Sequence, residues 1–140
     1  MDCTVSWLGS AGMAFSAETG SGHLINMDGA PEAGGRNLAP RPMELLLAGA
    51  GGCSAFDVVL ILQKARQAVS GCEVKINADR ASEDPKVFTK IDLHFTVTGK
   101  DLDPAKVDRA VKLSHDKYCS ATAMLSKTAE LTYSIEVRSE

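Results

Sequence analysis

Pro42-Met43-Glu44-Leu45-Leu46-Leu47-Ala48-Gly49-Ala50-Gly51-Gly52-Cys53-Ser54-Ala55-Phe56-Asp57-Val58-Val59-Leu60-Ile61-Leu62 is the stretch around which the rest of the chain must be arranged. Proline suits the first turn of a helix, where a missing N–H leaves nothing unbonded. Gly71 is a residue of the type that ends one. The pattern therefore predicts a helix from near Pro42 to just before Gly71, about thirty residues or roughly 40 Å long. Gln63, Lys64, Arg66 and Gln67 make its last turns polar. The small residues Ala48–Ala55 allow another element to approach Cys53 closely. Leu45–Leu62 is long enough to span a bilayer, but it carries Gly49, Gly51, Gly52 and a mid-segment Asp57. An aspartate at the bilayer centre costs about 2.5–3.5 kcal/mol. A helix apolar all round is normally buried inside protein, so no membrane association is expected. One small sheet cannot cover such a helix; a second subunit can, and a homodimer is expected.

Upstream of this helix, Val5-Ser6-Trp7, Met13-Ala14-Phe15 and His23-Leu24-Ile25-Asn26-Met27 read as short strands separated by glycine turns. Residues 29–40, with Pro31, Gly34, Gly35 and Pro40, read as a loop long enough to be functional. Downstream, Val74, Ile76 and Ala78 alternate with polar residues, as do Ile91, Leu93, Phe95 and Val97. This period of two describes strands with one buried and one wet face, as in an antiparallel sheet. Asp103-Pro104 starts a second helix with a cap residue and an N1 proline. It carries Val107, Val111, Leu113 and Tyr118, and after a break Ser120–Lys127 continues helical. Leu131, Tyr133, Ile135 and Val137 close the chain as a strand. Strands and helices do not alternate regularly, which predicts an α+β fold. The 140 residues amount to a single domain, 1–140.

The formal net charge is −3, with no basic block, which argues against nucleic-acid binding. Met1-Asp2-Cys3-Thr4 shows no positive n-region and no apolar h-region, so no secretory signal is read and a cytoplasmic location is expected. The four cysteines, Cys3, Cys53, Cys72 and Cys119, contain no Cys-x-x-Cys pair. In a reducing compartment a cysteine pair points to catalysis or redox sensing rather than to a structural staple.

Cys53 and Cys119 are the candidate pair. A reactive thiol needs a nearby positive charge, a helix N-terminus or hydrogen bonds to its thiolate. Cys119, at the break before Ser120, sits where a helix start would lower its pKa. Set against this, a free cysteine is commonly a small buried hydrophobe, and Cys3 and Cys72 are read that way or as incidental. Asp57 stands one turn beyond Cys53 on the same helix face, where a carboxylate raises a thiol pKa unless a cation bridges them; it also reads as a buried hydrogen-bonding or interface residue. Glu44 is well placed in a first helical turn. His115 and Cys119, at i and i+4, have the spacing of a metal pair, but no third ligand is evident and no metal is expected. Gly49-Ala50-Gly51-Gly52 lacks the preceding strand and spacing of a phosphate loop.

Pro42-Met43-Glu44-Leu45-Leu46 followed by Ala48-Gly49-Ala50-Gly51-Gly52-Cys53, with a second cysteine in Tyr118-Cys119-Ser120, resembles the signature of the OsmC/Ohr family over essentially the whole chain. The resemblance implies an OsmC-like fold: antiparallel sheets packed around two helices, one long and central, in an intertwined homodimer with sites at the subunit interface. It implies a thiol peroxidase for organic hydroperoxides in oxidative-stress defence. Cys53 would be oxidised to a sulfenic acid, Cys119 would resolve it as a disulfide, and an external dithiol would reduce that disulfide. It implies no metal, haem or flavin. The family pattern places glutamate directly after the proline; here Met43 stands there and Glu44 follows. The pattern takes an arginine from the N-terminal strands; residues 1–35 contain neither arginine nor lysine, and Arg36 and Arg41 are the substitutes. Ser54 replaces a frequent aromatic, and Ser120 a frequent proline. Two other readings stay open: a non-catalytic dimer that binds a small apolar ligand or senses redox state, and a structural or interaction protein.

Overall fold

The computed structural model describes residues 1–140. They form two compact units, Met1–Leu47 and Ala48–Glu140, and the boundary falls inside one continuous helix.

The first unit is a three-stranded antiparallel meander of β1 (Cys3–Trp7), β2 (Ala14–Thr19) and β3 (Leu24–Asp28). It buries little. Ala17 is its only buried apolar side chain, while Val5, Trp7, Leu8, Leu24 and Leu38 are exposed. The loop after β3 is organised by a buried carboxylate: Asp28 accepts hydrogen bonds from the backbone N–H groups of Gly29, Arg36 and Leu38 at 2.8–3.1 Å. The Leu38 N–H contributes most to holding the Asp28 carboxyl below its ordinary range. Burial opposes it, and the other two N–H groups and the Arg41 charge reinforce it.

Helix α1 (Pro42–Lys64) begins at the expected proline. Glu44 reaches back to accept the Arg41 N–H at 2.9 Å, one half of a capping box. The helix ends earlier than the sequence reading has it. Arg66 takes a left-handed conformation (φ 57°), Gln67 N–H bonds to Leu62 C=O, and Arg66 N–H bonds to Gln63 C=O. This is a Schellman ending with arginine where glycine is usual; β-structure resumes at Ala68, before Gly71.

In the second unit, β4 (Ala68–Arg80) and β5 (Phe88–Lys100) pair antiparallel, and β6 (Glu130–Ser139) lies on the far side of β5. The β5–β6 pair is parallel, which corrects the all-antiparallel expectation. Two strands joined by a long helical crossover can lie parallel, and the crossover here is α2 (Pro104–Leu113) and α3 (Ser120–Leu125). The α+β class and the central helix stand. Ile91, Leu93, Phe95 and Val97 form the buried face of β5, and Val107, Ala110 and Val111 that of α2. On α1, Ala50, Gly51, Ser54, Val58 and Leu62 make the buried stripe. Gly51 makes the closest approach there: a Cβ would lie 2.9 Å from Ile76 Cδ1 on β4, so a larger residue would make that side-chain end move aside. The close approach expected of the small-residue run is made at this point.

Candidate functional site

Three features of the second unit bring Cys53 and Cys119 together. Cys53 lies on α1, one residue before Ser54 of the buried stripe. Asp103 caps α2 by accepting the Ala105 N–H at 2.9 Å, so the helix starts as its sequence predicts. At Ser114–Tyr118 the backbone widens into one π-helical turn, closed by Cys119 N–H to Ser114 C=O at 2.9 Å. Such turns are frequent at functional sites. This one ends at Cys119, which leaves the helical conformation (φ −73°, ψ 103°) and caps α3 with its own sulfur, accepting the Thr122 N–H at 3.4 Å. A cysteine thus stands where serine, threonine or aspartate is usual.

The Cys53 Sγ, the Cys119 Sγ and a carboxylate oxygen of Asp57 all lie within 4.8 Å of one another. Both thiols are free. Cys119 is 2% exposed and Cys53 is half-buried, so Cys53 is the thiol a dissolved reactant meets first. The Ser54 hydroxyl, itself buried, donates to Cys119 Sγ at 3.3 Å. The Ser114 hydroxyl donates to Asp57 Oδ2 at 3.0 Å and reaches Ser54 C=O at 3.5 Å.

These neighbours split the two acidities. On Cys119, burial is the largest single influence and raises the thiol. The Ser54 hydroxyl, the Thr122 hydroxyl and N–H, and the Cys53 thiol together outweigh it, and Cys119 ends below the ordinary thiol range. On Cys53, the Ala121 backbone N–H is the largest influence and lowers the thiol. Burial and the Cys119 side chain, through both its hydrogen bond and its charge, carry the net direction upward. A thiolate that accepts hydrogen bonds is stabilised, so negative charge in the pair settles first on Cys119. It follows that Cys119→Ser, which removes the group raising Cys53, moves the Cys53 titration to lower pH. The thiolate fraction at neutral pH then grows, and alkylation of Cys53 by iodoacetamide at pH 7 is expected to run several-fold faster than in the parent. A pH–rate profile of alkylation, mapped to Cys53 by mass spectrometry, checks the sign.

The remaining expected site residues, Arg36, Arg41 and Glu44, belong to the first unit. The Arg36 backbone N–H bonds to Asp28 Oδ2, Arg41 Nη1–H donates to Ala39 C=O at 3.2 Å, and Glu44 caps α1. His115, weighed as a metal partner of Cys119, instead packs against Tyr133, with ring centroids 5.0 Å apart. Ser54 and Ser114 were not singled out as site residues by the sequence reading; only the structure shows their hydroxyls on the thiol–carboxylate cluster. Asp57 was placed beside Cys53 by its spacing alone. Cys3 is exposed, and burial raises the Cys72 thiol.

Residues 34–134 match the family model described as OsmC-like protein. Protein YhfA of Escherichia coli strain K12 is 53% identical over 137 residues, which cover 98% of each chain. The crystal structure of a hypothetical protein from Aquifex aeolicus VF5 superposes with a TM-score of 0.85 at 31% identity, over 99% of this chain and 96% of that one. An organic hydroperoxide resistance protein OsmC from Legionella pneumophila shares the fold, with a TM-score of 0.69 at 14% identity over 97% of both chains. By the match over residues 34–134 and the full-length likeness to YhfA, this chain belongs to the OsmC-like protein family.

Proposed function

We propose that the chain is a homodimeric thiol peroxidase that reduces organic hydroperoxides through Cys53 and Cys119. The observation that carries this reading is the pair of free thiols within 4.8 Å of each other, the more accessible one on α1 and the more acidic one behind it. The name of the Legionella pneumophila neighbour supports the substrate class. In the first step the Cys53 thiolate attacks the terminal oxygen of ROOH. The O–O bond breaks, the alkoxide leaves and is protonated to the alcohol, and Cys53 becomes a sulfenic acid. The Cys119 thiolate then attacks Cys53 Sγ and expels hydroxide, which leaves as water once protonated. The resulting disulfide is reduced by an external dithiol, which is itself oxidised to a disulfide. Cys119 is suited to its part twice over: as a thiolate it resolves the sulfenic acid, and as a stabilised leaving group it speeds reduction of the disulfide. Ser54 Oγ–H and Thr122 N–H stabilise charge on Cys119 and the Ala121 backbone N–H acts on Cys53; Arg36 and Arg41 stay the proposed substitutes for the arginine of the family pattern.

The homodimer rests on what the single chain leaves uncovered. By length and composition α1 is able to cross a membrane, yet only 28% of its most apolar stretch is buried. Asp57 in mid-helix favours a protein cover over a lipid one. A groove of about 490 Å³ beside α1 is lined by Gly52, Ala55, Phe56, Val59, Leu60 and Cys72. A second copy, carrying the same apolar face, is its proposed occupant. The nearly coreless first meander points the same way, because three strands need an apolar face covered to be stable.

The test is mass spectrometry of the reduced protein titrated with cumene hydroperoxide. A loss of two hydrogens, mapped to a Cys53–Cys119 bridge at about one equivalent, is the expected result. Four free thiols after excess peroxide would overturn the reading and favour an apolar-ligand binder.

A further inference from the structure

The thiol pair has a third member that the peroxidase steps do not use. Asp57 lies one turn beyond Cys53 on the same face of α1, and its carboxylate reaches within 4.8 Å of both sulfurs. Within the second unit it has no ion-pair partner; the two ion pairs there both engage Glu136. Two thiols and a carboxylate therefore face one another with no ion-paired cation among them.

We propose that the reduced Cys53–Asp57–Cys119 cluster is a binding site for one thiophilic divalent cation of the zinc class. The donor set is two sulfurs and one oxygen. In a tetrahedral zinc site, with Zn–S about 2.3 Å and Zn–O about 2.0–2.2 Å, such ligand atoms lie about 3.6–3.8 Å apart. The observed cluster needs to contract by no more than about 1.2 Å to reach that spacing, within reach of side-chain rotations. Two elements supply the donors, α1 and the start of α3, so the ion would clamp them together.

Each ligand also has an outer partner of the kind that orients metal ligands. Ser54 Oγ–H and Thr122 N–H point at Cys119 Sγ, the Ala121 backbone N–H acts on Cys53, and Ser114 Oγ–H holds Asp57 Oδ2. Donors of this kind stabilise charge on sulfur without competing for the metal. The fourth position has no protein ligand. A water or a dissolved ligand would complete the shell there, and because Cys53 and Asp57 are only half-buried the ion would exchange with solvent. Binding converts both thiols to thiolates and releases their protons. A metal held there withholds both sulfurs from oxidation, and a Cys53–Cys119 disulfide withholds two of the three ligands from the metal. The two states exclude each other.

This inference needs only the reduced thiols and does not depend on peroxide turnover. The experiment titrates reduced, chelator-stripped protein with Zn²⁺ in competition with a chromophoric chelator. Co²⁺ is used in parallel to read sulfur-to-cobalt charge-transfer absorption. One ion per chain is expected, with the charge-transfer band present. Asp57→Ala should weaken zinc by at least about 10-fold, the scale of losing an orienting or ligating group. Cys53→Ser, close to the parent in shape, should at least halve the cobalt band, because one of the two sulfur ligands is lost. Absence of stoichiometric zinc in the parent, or zinc and cobalt signals unchanged in both variants, would overturn the proposal. Peroxide assays run with excess chelator present report on the peroxidase reading alone, so either proposal can fail without the other.

Discussion

Cys53→Ser is expected to reduce organic hydroperoxide consumption to the uncatalysed background, a loss of at least about 10³-fold, the scale seen when a catalytic nucleophile is removed. The hydroxyl is smaller than the thiol but keeps the side chain's shape, and Cys53 is only half-buried, so packing on α1 changes little. What is lost is the nucleophile. A thiol carries a usable thiolate fraction near neutral pH, whereas a hydroxyl needs an adjacent base to become reactive. Asp57 is the only carboxylate in the cluster, and it is already hydrogen-bonded to Ser114. Cys119→Ser separates the two roles. It should leave the first oxidation intact, so that one equivalent of alcohol forms and a Cys53 sulfenic acid is trapped by a carbon nucleophile such as dimedone, and then stop. A burst assay on the two variants reads the difference. If the pattern inverts, with Cys53→Ser giving the single turnover and trapping at Cys119, the more acidic but more buried thiol is the one that meets peroxide. In that case acidity rather than access decides the order of events. Undiminished turnover in Cys53→Ser would remove that residue from the mechanism.

The parts of this arrangement legible in the sequence are those encoded locally. Pro42 with Glu44, and Asp103 with Pro104, are capping signals complete within four residues, and both helices start where those signals stand. The alternation from Ile91 to Val97 reports a half-buried strand without reference to its partner. The parallel pairing of β5 with β6 is different. Each strand reads the same whichever direction its neighbour runs, and only the crossover through α2 and α3 fixes it. The end of α1 was misplaced because the left-handed position is filled by Arg66, at a cost of about 1–2 kcal/mol that glycine avoids. At the site, the small residues around Cys53 and the break before Ser120 pointed to the two cysteines. Ser54 could be read only as a departure from an aromatic. That its hydroxyl lands on Cys119 Sγ depends on a π-type turn that no periodicity announces. Arg36, Arg41 and Glu44 are legible as charges near a helix start; the structure adds that the Arg36 backbone N–H and the Arg41 guanidinium bond within the loop and that Glu44 caps α1.

Phe56→Asp should convert the protein from a species of twice the 14.8 kDa chain mass to one of that mass in light scattering at micromolar concentration. In the single chain Phe56 is 67% exposed at the edge of the α1 groove. Judged by that environment alone the substitution is a surface change, worth within about 0.5 kcal/mol. The dimer reading predicts the opposite. An interface built on this face would bury the ring, and in a two-fold assembly the same change appears in both copies. An unpaired carboxylate held out of water costs several kcal/mol. Two of them at about 3 kcal/mol each would weaken association by roughly 10⁴-fold, at 1.4 kcal/mol per decade. Loss of the dimer should also lower thermal stability, because on the dimer reading the partner covers the apolar side of α1. The competing possibilities give different traces. If lipid rather than a second copy covers α1, the parent itself should run as a monomer in buffer and partition into vesicles, and the aspartate should weaken that partition. If the dimer forms through another face, the variant should keep its doubled mass. Only monomerisation of a soluble, folded variant assigns the groove lined by Gly52, Phe56 and Cys72 to the neighbouring subunit.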